Sequence, residues 1–260
     1  MEVVITDSPD TAADVVAGAF AHLVRHAPAP VLGLATGSSP LGVYARLVAM
    51  HRAGTLSFAH ARAFLLDEYV GLPVDHPEAY RTFIHRHFTG LVDFSDGAVQ
   101  GPDGTAADVP GACAAYEHAI AAAGGIDLQL LGIGTDGHVG FNEPSSSLAS
   151  RTRVKTLTDR TRRDNARFFD SLDEVPHHVV TQGIGTILDA RHLVLIATGE
   201  AKAAPIAAAV EGPLTAFVPA SAIQLHPHVT VVVDEAAASG LRLREYYRDT
   251  FAAKPSWQGL

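Results

Sequence analysis

The sequence predicts an α/β fold, a modified three-layer sandwich around a mostly parallel central sheet. Three observations carry that prediction. Short β-branched apolar runs alternate along the chain with longer helix-like segments. The runs are apolar throughout, as suits strands covered on both faces by helices. Proline at helix starts and glycine at helix stops mark the boundaries between them.

The first strand is Val3–Ile5. Ser8-Pro9 then supplies an N-cap and a proline at the first helical position, opening a helix toward His26. Val31–Ala35 is the second strand, and Pro40 to about Arg52 the second helix, stopped at Gly54. Ala63–Leu66 is followed by a helix from Pro77 to Phe88 that ends at Gly90. Ala107–Ala123 runs into Gly124-Gly125, and Leu128–Leu131 is the next strand. Thr152–Thr156, Leu193–Ala197 and Thr230–Val233 complete the set, with Asp234 placed to cap a last helix toward Arg248. There is no internal repeat, and Gly101–Pro110 reads as a surface loop, so residues 1–260 are expected to form one domain.

Composition narrows the function. A chain of 260 residues, 47% hydrophobic and 18% charged, can bury a large core. Its 19 basic and 28 acidic residues give 19 − 28 = −9, a poor match to nucleic acid. Apolar runs such as Val229–Val233 are far too short to span a bilayer. Met1–Asp7 carries an acid early and lacks the regions of a signal peptide. The single cysteine, Cys113, forbids an internal disulfide and a cysteine-built zinc site. A cytoplasmic protein with no nucleic-acid or membrane partner is expected.

In open α/β sheets ligands sit at the carboxyl ends of the strands, so the residues that follow each strand matter most. After Val31–Ala35 comes Thr36-Gly37-Ser38-Ser39-Pro40 at a helix start, a suitable cradle for an anion. A plain capped turn would read the same way, and no Walker lysine follows. After Ala63–Leu66 comes Asp67-Glu68. Adjacent residues of an extended chain point in opposite directions, so one carboxylate can face the cleft while the other serves the structure. Partly desolvated, such a carboxylate becomes a usable general base. Read alone, a solvated acidic loop is the commoner explanation of the pair.

The densest segment follows Leu128–Leu131: Gly132-Ile-Gly134-Thr-Asp136-Gly137-His138-Val-Gly140-Phe-Asn142-Glu143-Pro144. Its Gly132-x-Gly134-x-x-Gly137 matches the dinucleotide fingerprint in letters, but the helix that fingerprint requires cannot open through Gly140, Asn142 and Pro144. A histidine flanked by carboxylates can act as a held general acid/base. A metal site is the competing reading, disfavoured because no second histidine stands nearby at helical spacing. Arg151, Arg153 and Lys155 share one strand face, and Arg160, Arg163 and Arg167 one helix face, which supplies local positive field in an acidic chain. A solvated charged surface is the plainer account, above all for Arg160, Arg162 and Arg163. Lys202, after Leu193–Ala197, again falls at the carboxyl edge.

Leu66-Asp67-Glu68-Tyr69-Val70-Gly71-Leu72, Gly134 to Pro144 and Ser150-Arg-Thr-Arg153-Val-Lys155-Thr156 together resemble the glucosamine-6-phosphate deaminases. The similarity runs in order from Val31 to Glu235 and includes Val210-Glu211-Gly212 and Gln224-Leu225-His226-Pro227. The wider superfamily also holds 6-phosphogluconolactonases and sugar-phosphate-sensing regulators. The resemblance implies a Rossmann-like fold and conversion of glucosamine 6-phosphate and water to fructose 6-phosphate and ammonia, with no metal or organic cofactor. It assigns Asp67 as the base between C2 and C1, and His138 as the ring-opening group with Asp136 and Glu143 as partners. Thr36, Gly37, Ser38, Ser39, Arg167 and Lys202 match the substrate-phosphate site, and residues from about 158 to 182 a closing lid. Ser146, Arg153 and Lys155 match the site at which allosteric members hold N-acetylglucosamine 6-phosphate in a homo-oligomer, a hexamer being favoured. Two departures stand out: Gly37-Ser38-Ser39 where the family more often has Gly-Gly-Thr, and Arg248, after Tyr246-Tyr247, near the place of a regulatory tail tyrosine. A lactone hydrolase or a non-catalytic sensor on the same fold are the rival readings.

Overall fold

Ser8 acts as the N-cap that the sequence suggests: its Oγ accepts the amide of Thr11 at 3.1 Å, and the first helix begins at Pro9. The structure, a computed structural model, describes residues 1–166, 169–255 and 258–260, with backbone only at 160 and 164. In order the chain forms β1 (Glu2–Thr6), α1 (Pro9–His26), β2 (Val31–Leu34), α2 (Ser38–Arg52), β3 (Arg62–Leu65) and β4 (Asp67–Tyr69). There follow α3 (Tyr80–His87), β5 (Val99–Gln100), α4 (Val109–Ala122), β6 (Leu128–Leu131), β7 (Arg153–Thr156) and α5 (Asp159–Asn165). The chain closes with β8 (His178–Thr181), α6 (Ile184–Leu188), β9 (His192–Ala197), α7 (Ala203–Val210), β10 (Val229–Asp234) and α8 (Arg244–Ala252).

Seven strands make one parallel sheet in the order β1-β10-β9-β6-β2-β3-β5. Every residue of β9 and β10 is buried, which is what their unbroken apolar runs imply. The apolar face of α1 (Ala12, Ala13, Val16, Ala17, Phe20, Ala21) is buried in the same core. Each large apolar side chain removed from water there contributes roughly 1.5–3 kcal/mol.

The predicted strand at Thr152–Thr156 forms, but outside this sheet. As β7 it belongs to a second, antiparallel sheet in the order β4-β8-β7, where its residues alternate between half-buried and exposed. Neither β4 nor β8 is legible as a strand. The acids of β4 read as a loop, and β8 lies inside the expected lid, although Val179, Val180 and Thr181 are buried. Of the expected lid, the described residues form α5, a 3₁₀ turn (Leu172–Glu174) and β8. The predicted helix from Asp234 to Arg248 is also divided. Asp234 ends β10, and its carboxylate accepts the amides of Gly199 and Ala237. It therefore caps only a 3₁₀ turn, Ala237–Gly240, and α8 begins at Arg244.

Candidate active site

The chain reverses its direction of progress across the sheet between β2 and β6. After β2 it proceeds outward to β3 and β5; after β6 it proceeds to β9 on the other side. Loops leaving adjacent strands in opposite senses open a crevice at their carboxyl ends. There lies a cleft of about 630 Å³, lined by Thr36 to Pro40, Leu66, Asp67, Gly132 to Asp136, His138 and Lys202 among others.

Asp67 enters this cleft from β4. It is only 5% exposed, and burial together with the nearby charge of Glu68 pushes its carboxyl from 3.8 up to about 8. A carboxylate so placed is a base that works near neutral pH. Glu68 points the other way, as alternation along an extended chain requires. Its carboxylate accepts the amides of Tyr69, Tyr80 and Arg81, each at 2.9 Å.

His138 stands on the glycine-rich loop after β6. Its Nδ1 lies 2.6 Å from Oδ1 of Asp136, which also accepts the His138 amide at 3.1 Å. Burial would raise the Asp136 carboxyl, but the contacts with His138 prevail and hold it at about 2. The glycines serve this packing and not a dinucleotide. A Cβ on Gly134 would sit 2.2 Å from the imidazole ring. Gly140 (φ +57°) leaves no room for a Cβ beside Thr181 Oγ1, 2.8 Å away, and the Asp67 carboxylate is its neighbour at 3.6 Å. No helix opens here; residues 132–152 are loop and turn.

Glu143 is buried but does not line the cleft; its Oε1 accepts the hydroxyl of Thr161 on α5 at 2.5 Å. The structure thus pairs His138 with Asp136 and gives Glu143 to Thr161. On the anion side, Gly37 (φ +102°) turns the chain into α2, whose first residues Ser38, Ser39 and Pro40 line the cleft and whose start has no side-chain cap. Lys202 reaches the cleft from the far side and donates to the Ile133 carbonyl at 2.6 Å. Arg167 lies outside the described residues, as does the side chain of Arg160.

The basic segment divides. Arg151 is not available to an anion, because it is paired with Glu117 and Asp189. Arg162 is not a solvated surface charge: it is buried and donates to the carbonyls of Leu172 and Val175, pinning the turn after α5. Arg153 and Lys155 are half-buried on one side of β7, outside the cleft, and the buried Ser146 Oγ has no hydrogen-bond partner among the described residues. Sequence reasoning missed Tyr80, Phe141, Thr161 and Asn165, all of which line the cleft. No spacing marks them, since α3 and α5 reach the site through contacts with distant segments: Asn165 donates to the Tyr69 hydroxyl at 2.9 Å, Thr161 to Glu143, and Tyr80 stacks on Phe141 of the loop after β6.

A family model described as glucosamine-6-phosphate isomerases/6-phosphogluconolactonase matches residues 7–232. A glucosamine-6-phosphate deaminase of Beutenbergia cavernae is 64% identical over 261 residues, covering 100% of both chains. One from Streptomyces coelicolor is 60% identical with the same coverage. Among solved structures, a monomeric glucosamine-6-phosphate deaminase matches with a TM-score of 0.90 at 40% identity, over 92% of this chain and 100% of its own. The 6-phosphogluconolactonase of Trypanosoma brucei matches at TM-score 0.70 and 19% identity, over 92% of this chain and 98% of its own, a likeness of fold alone. With its site at the strand ends and two deaminases matching it over its whole length, this chain belongs to the glucosamine-6-phosphate isomerase/6-phosphogluconolactonase family.

Proposed function

We infer that the protein converts glucosamine 6-phosphate and water to fructose 6-phosphate and ammonia. The observation that carries this reading is a buried carboxylate, Asp67, set as a near-neutral base in a cleft that also holds a carboxylate-paired histidine. Aldose–ketose isomerisation needs a base that lifts the C2 proton and returns it to C1, a task for one swinging carboxylate. A lactone hydrolase has no use for such a carbon base. His138, oriented by Asp136, opens the pyranose ring at its oxygen and anomeric hydroxyl. The substrate phosphate docks at the α2 N-terminus, on Thr36 to Ser39, with Lys202 across the cleft; the family resemblance assigns Arg167 the same role. Binding energy gained there, remote from the reacting carbons, holds them in register with Asp67. Glu143 supports the His138 loop while α5 is docked through Thr161. The scheme asks for no metal or organic cofactor. The deciding experiment incubates purified protein with glucosamine 6-phosphate and assays ammonia and fructose 6-phosphate together, with and without chelator. Absence of either product overturns the reading.

Regulation belongs to the same proposal. Ser146, Arg153 and Lys155 form the effector site for N-acetylglucosamine 6-phosphate in a homo-oligomer, with the hexamer as the favoured state. The unpartnered Ser146 hydroxyl supports it, and so does the register of the small sheet, in which Arg153 and Asp67 are both partners of Thr181. The solved relative named above is a monomer, so sedimentation with and without the effector separates a regulated oligomer from an unregulated single chain.

A further inference from the structure

Glu68 is a buried carboxylate in contact with the site that the reaction scheme leaves without a part. Helix α3 has no cap of its own, since Ala79 offers no side-chain acceptor for its first amides. Glu68 reaches over from β4 to supply one: Oε1 accepts from Tyr80 and Oε2 from Arg81, while Oε1 also takes the amide of Tyr69. Burial raises the Glu68 carboxyl on balance, while the three amide donors and the helix N-terminus pull toward the ionised form of an acceptor that donates nothing.

The first residue this cap fixes is Tyr80, which lines the cleft beside Asp67. Its ring stacks on Phe141 with centroids 5.9 Å apart and planes 7° apart. Its hydroxyl donates to the Tyr69 hydroxyl at 3.3 Å, the same oxygen that Asn165 of α5 uses. One carboxylate thus anchors the helix start, the aromatic wall of the cleft and the point where α5 docks.

Resting on the deaminase reading, we propose that Glu68 is a positioning residue for the reaction: it holds Tyr80 at the cleft wall and places its carboxylate one residue along the chain from the base. The groups that face Asp67 are Tyr44 from α2, Tyr69 from its own strand, Tyr80 from α3, Tyr116 from α4, and His138, Asp136 and Lys202 across the cleft. The four phenols are raised by burial and stay neutral. The charge of Glu68 is what adds to burial in keeping Asp67 protonated to high pH.

Two substitutions separate charge from reach, each followed as kcat/KM against pH. Glu68→Gln keeps the size and removes the charge, so the low-pH limb set by Asp67 moves down by about one pH unit. A merely structural lesion lowers the plateau without moving the limb. Glu68→Asp keeps the charge and withdraws it from Tyr80 and Arg81, so the limb stays while kcat falls at least about tenfold. A Glu68→Gln limb that coincides with wild type, or a Glu68→Asp enzyme with wild-type kcat, overturns the proposal. If Glu68→Gln does not fold, the Glu68→Asp result decides. Wild-type protein that releases no ammonia refutes the deaminase reading itself, so the two failures are distinct.

Discussion

Replacing Asp67 by Asn should stabilise the fold by an amount that grows with pH, while abolishing exchange of the substrate C2 proton. The folded carboxyl titrates at about 8 against an ordinary 3.8. A raised carboxylate contributes its full stability below the unfolded value and loses it as pH rises toward the folded one. Between those limits the folded protein keeps a proton that the unfolded chain has released. Each pH unit then costs the wild type about 1.4 kcal/mol. From about pH 4 to about pH 7 the loss is on the order of 4 kcal/mol, and it levels off above the folded value. The amide introduced by Asp67→Asn has nearly the shape of the protonated acid and no proton to lose, and other titrating groups cancel between the two proteins. The assay is urea unfolding of both proteins at several pH values, plotted as the difference in unfolding free energy. At roughly 2–4 °C per kcal/mol for a domain of this size, melting temperatures should diverge by about 10 °C over the same span. A difference that stays flat with pH would refute the reasoning, because it would mean that Asp67 ionises in the folded protein as it does in water. The same ionisation sets activity. The base works only as the anion, so kcat/KM should rise with pH toward about 8.

Other expectations follow from single contacts. His138→Gln should depress turnover of the cyclic sugar more than that of an open-chain analogue; equal losses would remove His138 from ring opening. Gly134→Ala places a methyl 2.2 Å from the imidazole, so it should reproduce the His138→Gln selectivity with a thermal midpoint close to wild type. Thr161→Val leaves the buried Glu143 carboxylate without that donor and should destabilise by about 1–3 kcal/mol in denaturant titration. Lys155→Ala should erase any response of the saturation curve to N-acetylglucosamine 6-phosphate; a response that persists would remove Lys155 from the effector site.

Much of the fold and part of the site can be read from local pattern. The apolar runs of β9 and β10 and the Ser8-Pro9 start of α1 are strong because burial on both faces and capping leave direct marks in composition. Asp67, Asp136, His138 and the turn at Gly37 are legible for a related reason: in a parallel sheet, whatever follows a strand is delivered to one edge. The opposed directions of Asp67 and Glu68 follow from pleating alone. Tertiary structure decided the rest. β4 and β8 are strands of only 3 and 4 residues, and β7, although legible as a strand, carries no sign of which sheet it joins. Their pairing joins Asp67 to Thr181, far along the chain, and Thr181 in turn to Arg153. Around it, Tyr80 and Asn165 meet the Tyr69 hydroxyl, the Leu172 and Val175 carbonyls hold Arg162, and the Thr161 hydroxyl meets Glu143. Contacts of this kind depend on register between distant segments, and register is set by the packing of the whole domain, leaving no mark in the residues on either side of them.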